Sequence, residues 1–302
     1  MKRALVISGG GSKGAFAGGV SEYLIKVQSK EYDIFVGSST GSLLLPHLAL
    51  NQTDKLKRIY TNVDNKHIFS RDPFIKKKKN GQEYVTINYL ITLLQFIKKK
   101  KTFGESKNLR RTIERNFSYT DFLNIKYYSD KDIIVTVSNL TDNRVEYKSI
   151  KDFNYKEFLD WIWISCNLVP FMSLVKKNHC EYADGGFGSM VSITEAIRRG
   201  AKEIDVIVLE SESPNGKIIG KNPFALMMNL YSFMLDQVER HDIREGKLCA
   251  IQNDVILNFY YTPNKLTDNS LLFNKDQMKT WWENGFKHAE WEFNKSSQKS
   301  NI

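Results

Sequence analysis

Several of the features that most often betray a function are scarce or missing in this chain. Three cysteines, Cys166, Cys180 and Cys249, are spread over 302 residues, an odd number at wide spacing that makes neither a disulfide framework nor a zinc site. They read as reduced core residues. The five histidines, including His67, His179, His241 and His288, show no metal-ligand spacing, so no catalytic metal and no cofactor are expected. No apolar run approaches the roughly 20 residues that a membrane-spanning helix takes. Met1-Lys2-Arg3 leads straight into an apolar segment without an h-region or cleavage site, which reads as a cytoplasmic form that meets membranes at most peripherally. Repeats and low-complexity linkers are missing too. With 41% hydrophobic residues, the expectation is one α/β domain over residues 1–295 and a flexible tail at 296–302.

What is present is concentrated near the start. Ala4 to Ile7 is a short continuous apolar run, the pattern of a strand buried on both faces. Gly9, Gly10 and Gly11 end it, and a helix is expected from about Gly14. Ile34 to Val36 repeats the pattern and runs into Gly37-Ser38-Ser39-Thr40-Gly41. That is the G-x-S-x-G turn which lifts a serine above a sheet between strand and helix. In one parallel sheet both turns fall at the carboxyl edge, where open α/β sheets bind ligands. Ser39 would then stand beside the bare amides of the glycine loop, with a helix dipole aimed at the same spot. Such donors stabilise the oxyanion of an attacked ester, one of them typically contributing about 2.7 to 4 kcal/mol. Lys13 either adds charge or braces the loop.

Gly9, Gly11 and Gly14 also spell the dinucleotide fingerprint. That motif wants an acidic residue at the far end of the second strand, whereas Glu31 and Asp33 precede it. A Walker loop is excluded by the order Ser12-Lys13-Gly14. His47 lies on the helix expected over residues 43–50, about 12 Å of rise beyond Ser39, too far to serve as its base.

Further along, Cys180-Glu-Tyr-Ala-Asp184-Gly185-Gly186 offers an aspartate before two glycines, by itself a turn signal. In company it says more. The order Gly-Gly-Gly-x-Lys-Gly, G-x-S-x-G, Asp-Gly-Gly resembles the patatin-like phospholipase family, with further matches at Ser165-Cys-Asn-Leu-Val-Pro170-Phe171, Ser270-Leu-Leu-Phe273 and Gly285-Phe-Lys-His-Ala289. The resemblance implies a three-layer fold, a mostly parallel central sheet with helices on both faces. It also implies a catalytic dyad of Ser39 and Asp184, an oxyanion hole around Gly9, Gly10, Gly11 and Ser12, and hydrolysis of lipid acyl esters without a metal. Lys13, Gly14, Gly37, Gly41, Gly185 and Gly186 complete the motifs. The chain departs from the family at Phe187-Gly-Ser-Met-Val, where an asparagine and a proline are common, and at Ser42, where a small apolar residue is. An aspartate with its ordinary pKa near 3.9 is a poor base at pH 7, so Asp184 would have to be partly desolvated. A Ser-His-Asp hydrolase using His241 or His288 is one alternative, and a non-catalytic lipid or nucleotide binder is another.

The rest of the chain reads as scaffold with one exception. Helices are expected over 15–26, 158–164, 193–199, 222–246 and 277–293, and strands over 132–140, 204–209 and 255–261. Gly18 and Gly19 imply close packing of the first helix on the sheet, Met227, Met228, Phe233 and Met234 a soft apolar face, and Trp161 and Trp163 either core or an acyl-binding wall. The exception is 70–115, a cap-like insertion in which an apolar helix over 87–97 sits between Lys76–Lys79 and Lys98–Lys101. Eleven residues cannot span a bilayer. The segment is either a core helix with solvated lysine ends or a surface that touches anionic membrane. The formal net charge of +10 suits anionic lipid, and no nucleic-acid motif accompanies it, so lipid is the expected partner.

Overall fold

The computed structural model describes residues 1–79, 82–213, 223–267 and 269–299. Its first half contains β1 (Arg3–Ile7), α1 (Gly14–Lys26), β2 (Ile34–Ser38), α2 (Thr40–Ala49), α3 (Thr53–Tyr60) and α4 (Asn65–Ile68). Then come β3 (Phe74–Lys79), β4 (Gln82–Ile87), α5 (Tyr89–Ile97), α6 (Lys107–Asn116), α7 (Tyr119–Tyr128), β5 (Asp132–Asn139) and β6 (Arg144–Ser149). The second half holds α8 (Tyr155–Ser165), β7 (Val175–Lys177), β8 (Cys180–Asp184), α9 (Ile193–Arg198) and β9 (Glu203–Val208). It ends with α10 (Pro223–Gln252), β10 (Ile256–Tyr261) and α11 (Lys275–Lys299).

The main sheet is mixed, in the order β10-β9-β1-β2-β5-β8-β7, with β6 on β5. Its β10 to β5 portion is parallel, and β6, β7 and β8 join antiparallel. Alternation along the strands sorts side chains to two faces. Leu5, Ile7, Phe35 and Val135 enter one core with residues of α1, α2, α8 and α11, while Ala4, Val6, Val36 and Val206 enter another with α9 and α10. Helices therefore cover both faces.

One register matters for everything that follows. β6 takes the whole edge of β5 from residue 134 to 139, and the other edge is shared end to end. Ser38, the last residue of β2, pairs with Thr136, and Asp184, the last residue of β8, pairs with Val137. The carboxyl ends of a parallel and an antiparallel strand thus meet nose to nose on β5.

Several expectations need correction. Gly18 and Gly19 make their close approach to α11, not the sheet: a Cβ on Gly18 would lie 2.1 Å from the Trp282 ring. α10 continues to Gln252, and of its methionines only Met228 packs on the core while Met227, Phe233 and Met234 are exposed. α11 extends to Lys299, into the 296–302 segment that the sequence indicated as a flexible tail. Lys76–Lys79 belong to a strand of the β3–β4 hairpin, and α5 begins at Tyr89. The side chains of 76–79 lie outside the described residues. Most sharply, α5 is no core helix: Leu90, Leu93, Phe96 and Ile97 are exposed, and Thr92 and Gln95 are buried.

Candidate functional site

Ser39 occupies the turn between β2 and α2 with φ 51° and ψ −122°, a backbone conformation that a residue with a Cβ adopts only when its surroundings enforce it. The surroundings come from 126 residues away. Ser165 Oγ accepts the Ser39 N–H at 2.9 Å, and the Cys166 thiol donates to the Ser39 carbonyl at 3.1 Å. Asn167, next in line, accepts the Asp184 N–H through its carbonyl at 3.0 Å. One three-residue segment at the end of α8, Ser165 to Asn167, therefore holds the backbones of both Ser39 and Asp184. Ser42, the departure noted in the sequence, is a further strut: its hydroxyl donates to the Gly37 carbonyl at 2.8 Å and meets Ser165 Oγ at 2.9 Å.

The Ser39 hydroxyl and the Asp184 carboxylate line the same cavity, near enough for the hydroxyl to favour the ionised carboxylate. Gly186 N–H donates to Asp184 Oδ1 at 2.8 Å. Asp184 is 2% exposed. Burial disfavours its charged form and pushes its pKa up to about 7, against the smaller opposing effect of the nearby Ser39 hydroxyl and the Gly186 N–H.

The glycine loop lies alongside. A Cβ on Gly9 would stand 3.2 Å from the Ser39 Cβ, so only glycine lets the loop come this close. Gly11 has φ +55°, and a Cβ there would strike the Ser270 carbonyl oxygen at 2.2 Å. Among the described residues the Gly10 and Gly11 amides have no partner, whereas Gly9 N–H leans on the Met190 carbonyl at 3.4 Å. Ser12 departs from the set: its N–H is taken by the Ser270 carbonyl at 2.8 Å, and it does not line the cavity. Lys13 braces. Its ammonium is paired with Glu210, near Glu239, whose carboxyl burial pushes up to about 8.

Two groups that sequence reasoning missed hold the loop in place. Tyr60 of α3 donates to the Gly11 carbonyl at 2.5 Å and its oxygen is left to accept from the Thr40 hydroxyl. Asp242 of α10 accepts from the Met190 and Val191 amides at 2.5 and 2.9 Å, fixing the turn whose Met190 sulfur covers Gly9 and Gly186. Neither has a local signal; each is a single polar side chain whose partner lies far away in sequence.

Ser39, Asp184, Gly9, Gly10 and Gly11 line one cavity of about 140 Å³, together with Leu43, Leu168, Met172 and Leu271. A smaller, almost wholly apolar cavity of about 60 Å³ shares Leu43, Ile68, Leu109 and Phe273 with it and is also lined by His47 and Phe117. Trp161 and Trp163 line neither. No histidine lines the Ser39 cavity. His47 is buried with Gln52, its pKa lowered to about 4 by burial, and His288 stacks between Phe16 and Trp291 on α11. Among the described residues no cluster of His, Cys, Asp and Glu could hold a metal ion, and no helix is long and apolar enough to cross a membrane.

The family model described as patatin-like phospholipase matches residues 5–197, from β1 into α9, and takes in the glycine loop, Ser39 and Asp184. The chain belongs to the patatin-like phospholipase family. Among curated proteins, the uncharacterized protein YjjU of Escherichia coli (strain K12) is 25% identical over 205 residues, 68% of this chain and 51% of that protein. The chain spans about half the length of YjjU. The crystal structure of VipD from Legionella pneumophila shares the fold, with a TM-score of 0.51 at 13% identity over 97% of this chain and 67% of VipD.

Proposed function

We propose that this patatin-like protein cleaves fatty-acyl esters of phospholipids or related lipids through a Ser39–Asp184 dyad and an acyl-enzyme. The observation that carries the reading is that Ser39 lines one cavity with a buried carboxylate, Asp184, whose pKa burial raises to about 7. A base poised near the working pH can take up a proton and return it. Ser39 Oγ attacks the acyl carbonyl while Asp184 accepts its proton. The Gly10 and Gly11 amides, free of other partners among the described residues, receive the oxyanion, helped by the α1 dipole. Asp184 then protonates the departing alcohol, and in the second half it deprotonates the water that opens the acyl-enzyme. The acyl chain lies along Leu43 and Leu109 into the apolar cavity, where its burial contributes about 0.8 kcal/mol per methylene.

Turnover of a fluorogenic fatty-acyl ester tests this. Ser39→Ala and Asp184→Asn are each expected to lower kcat by about 10³-fold or more, while alanine at each of His47, His67, His179, His241 and His288 leaves it within a few-fold. A comparable collapse at one histidine would replace the dyad with a triad.

A further inference from the structure

α5 is turned inside out. A helix on a globular protein normally buries its apolar stripe, yet here Tyr89, Leu90, Leu93, Leu94, Phe96 and Ile97 are between 42% and 68% exposed. The buried face is polar: Gln95 accepts from Arg71 at 3.1 Å, and Arg71 pairs with Glu105 at 3.0 Å. That network fixes which way the helix faces, so its apolar side is presented outward by construction. Nine residues are too short to cross a bilayer.

The same side of the molecule carries more apolar surface and the matching charge. On α10, Leu226, Met227, Leu230, Phe233 and Met234 are exposed. The two helices are joined by a row of rings, Phe96 on Phe103 at 5.9 Å, Phe103 on Phe171 at 6.2 Å and Phe171 on Tyr231 at 6.2 Å. Leu168 and Met172, either side of that loop, line the Ser39 cavity. Lys98, Lys99 and Lys100 follow α5, exposed and with no carboxylate partner among the described residues, and a groove beneath them gathers five cations, Lys107 and Lys176 among them, against Glu105 and Glu181.

We propose that the outward faces of α5 and of the first half of α10 dock this protein on an anionic lipid surface, bringing the Ser39 cavity to the bilayer. The inference rests on the lipid acyl hydrolase reading above. The lysines decide the occupant: beside anionic lipid each contributes attraction, whereas a second copy of a chain of net charge +10 would bring like charge against them. Apolar side chains inserted between head groups supply the rest, as for other interfacial helices.

The test uses the Ser39→Ala protein for binding and the active protein for turnover. Ser39→Ala is expected to co-sediment with phosphatidylcholine–phosphatidylserine vesicles and about tenfold less with phosphatidylcholine alone. Adding Leu90→Glu with Leu93→Glu, or alanine at Lys98, Lys99 and Lys100, lowers binding to the mixed vesicles by about tenfold or more. In the active protein those changes lower hydrolysis of vesicle lipid and leave hydrolysis of a soluble short-chain ester unchanged, which also shows that the variants are folded. Equal binding by wild-type and substituted faces overturns the proposal. So does a concentration-dependent dimer in sedimentation velocity that the Leu90→Glu, Leu93→Glu protein loses. Vesicle binding with no ester turnover of either kind leaves docking standing and removes the hydrolase reading instead.

Discussion

Asp184 is a carboxylate that the fold has made basic. Its burial opposes ionisation more strongly than the Ser39 hydroxyl and the Gly186 N–H favour it, and a shift of one pKa unit corresponds to about 1.36 kcal/mol. Because the folded pKa is raised, ionised Asp184 costs folding stability: the protonated form is favoured at low pH, and this contribution is lost as the pH rises through about 7. Around Ser39 and Asp184, single residues hold the backbone in position. Tyr60 is the clearest, since its hydroxyl spans the Gly11 carbonyl and Thr40. Tyr60→Phe removes both bonds and lets the loop amides drift. The expected outcome is a fall in kcat of about tenfold with KM nearly unchanged, since the amides act on the oxyanion and not on the bound ester. Steady-state kinetics on a soluble ester checks this, and a rise in KM at constant kcat would show that Tyr60 shapes binding instead.

At the scale of elements, β5 does the joining. It aligns the end of β2 with the end of β8 at Thr136 and Val137, so two side chains 145 positions apart in sequence become neighbours. α11 plays a comparable part for α1: Trp282 lies on Gly18 and Gly19, and its indole N–H donates to Glu22 at 2.6 Å. A Cβ on Gly19 would meet the Trp282 carbonyl oxygen at 1.9 Å, and backbone cannot yield as a side chain can. Gly19→Ala is therefore expected to destabilise the fold by about 1 to 3 kcal/mol, read as a lower urea midpoint; an unchanged midpoint would mean that α11 is held by other contacts. These relations also mark what the sequence could yield. The glycine loop and the Ser39 turn were legible because each is a local strand–turn–helix signal. Asp184 was legible only by resemblance, since its pairing is made by strand register. The partner of Gly18 and Gly19 was misjudged because glycine reports a close approach without naming what approaches. The same limit applies to α5, whose composition says apolar but whose orientation is set by Arg71 and Glu105 elsewhere in the chain.

At the scale of the whole molecule, three carboxyl groups among the described residues that burial moves toward neutral pH gather around the Ser39 cavity. Asp184 at about 7, Glu239 at about 8 and Asp242 at about 6 all touch the Ser39 cavity or the Met190 turn beside it. Such clustering is typical of functional sites. Ser39, Asp184, Gly9, Gly10 and Gly11 share that cavity, while the Ser12 amide is taken by the Ser270 carbonyl. The most direct measurement is the rate at which a fluorophosphonate labels Ser39, followed by mass spectrometry of the intact protein across pH. The rate should rise with pH through about 7 in the wild type as Asp184 ionises, fall by about 10²-fold or more and lose that inflection in Asp184→Asn, and vanish in Ser39→Ala. Labelling of Ser39→Ala at the wild-type rate, or an Asp184→Asn profile that keeps the same inflection, would contradict the account.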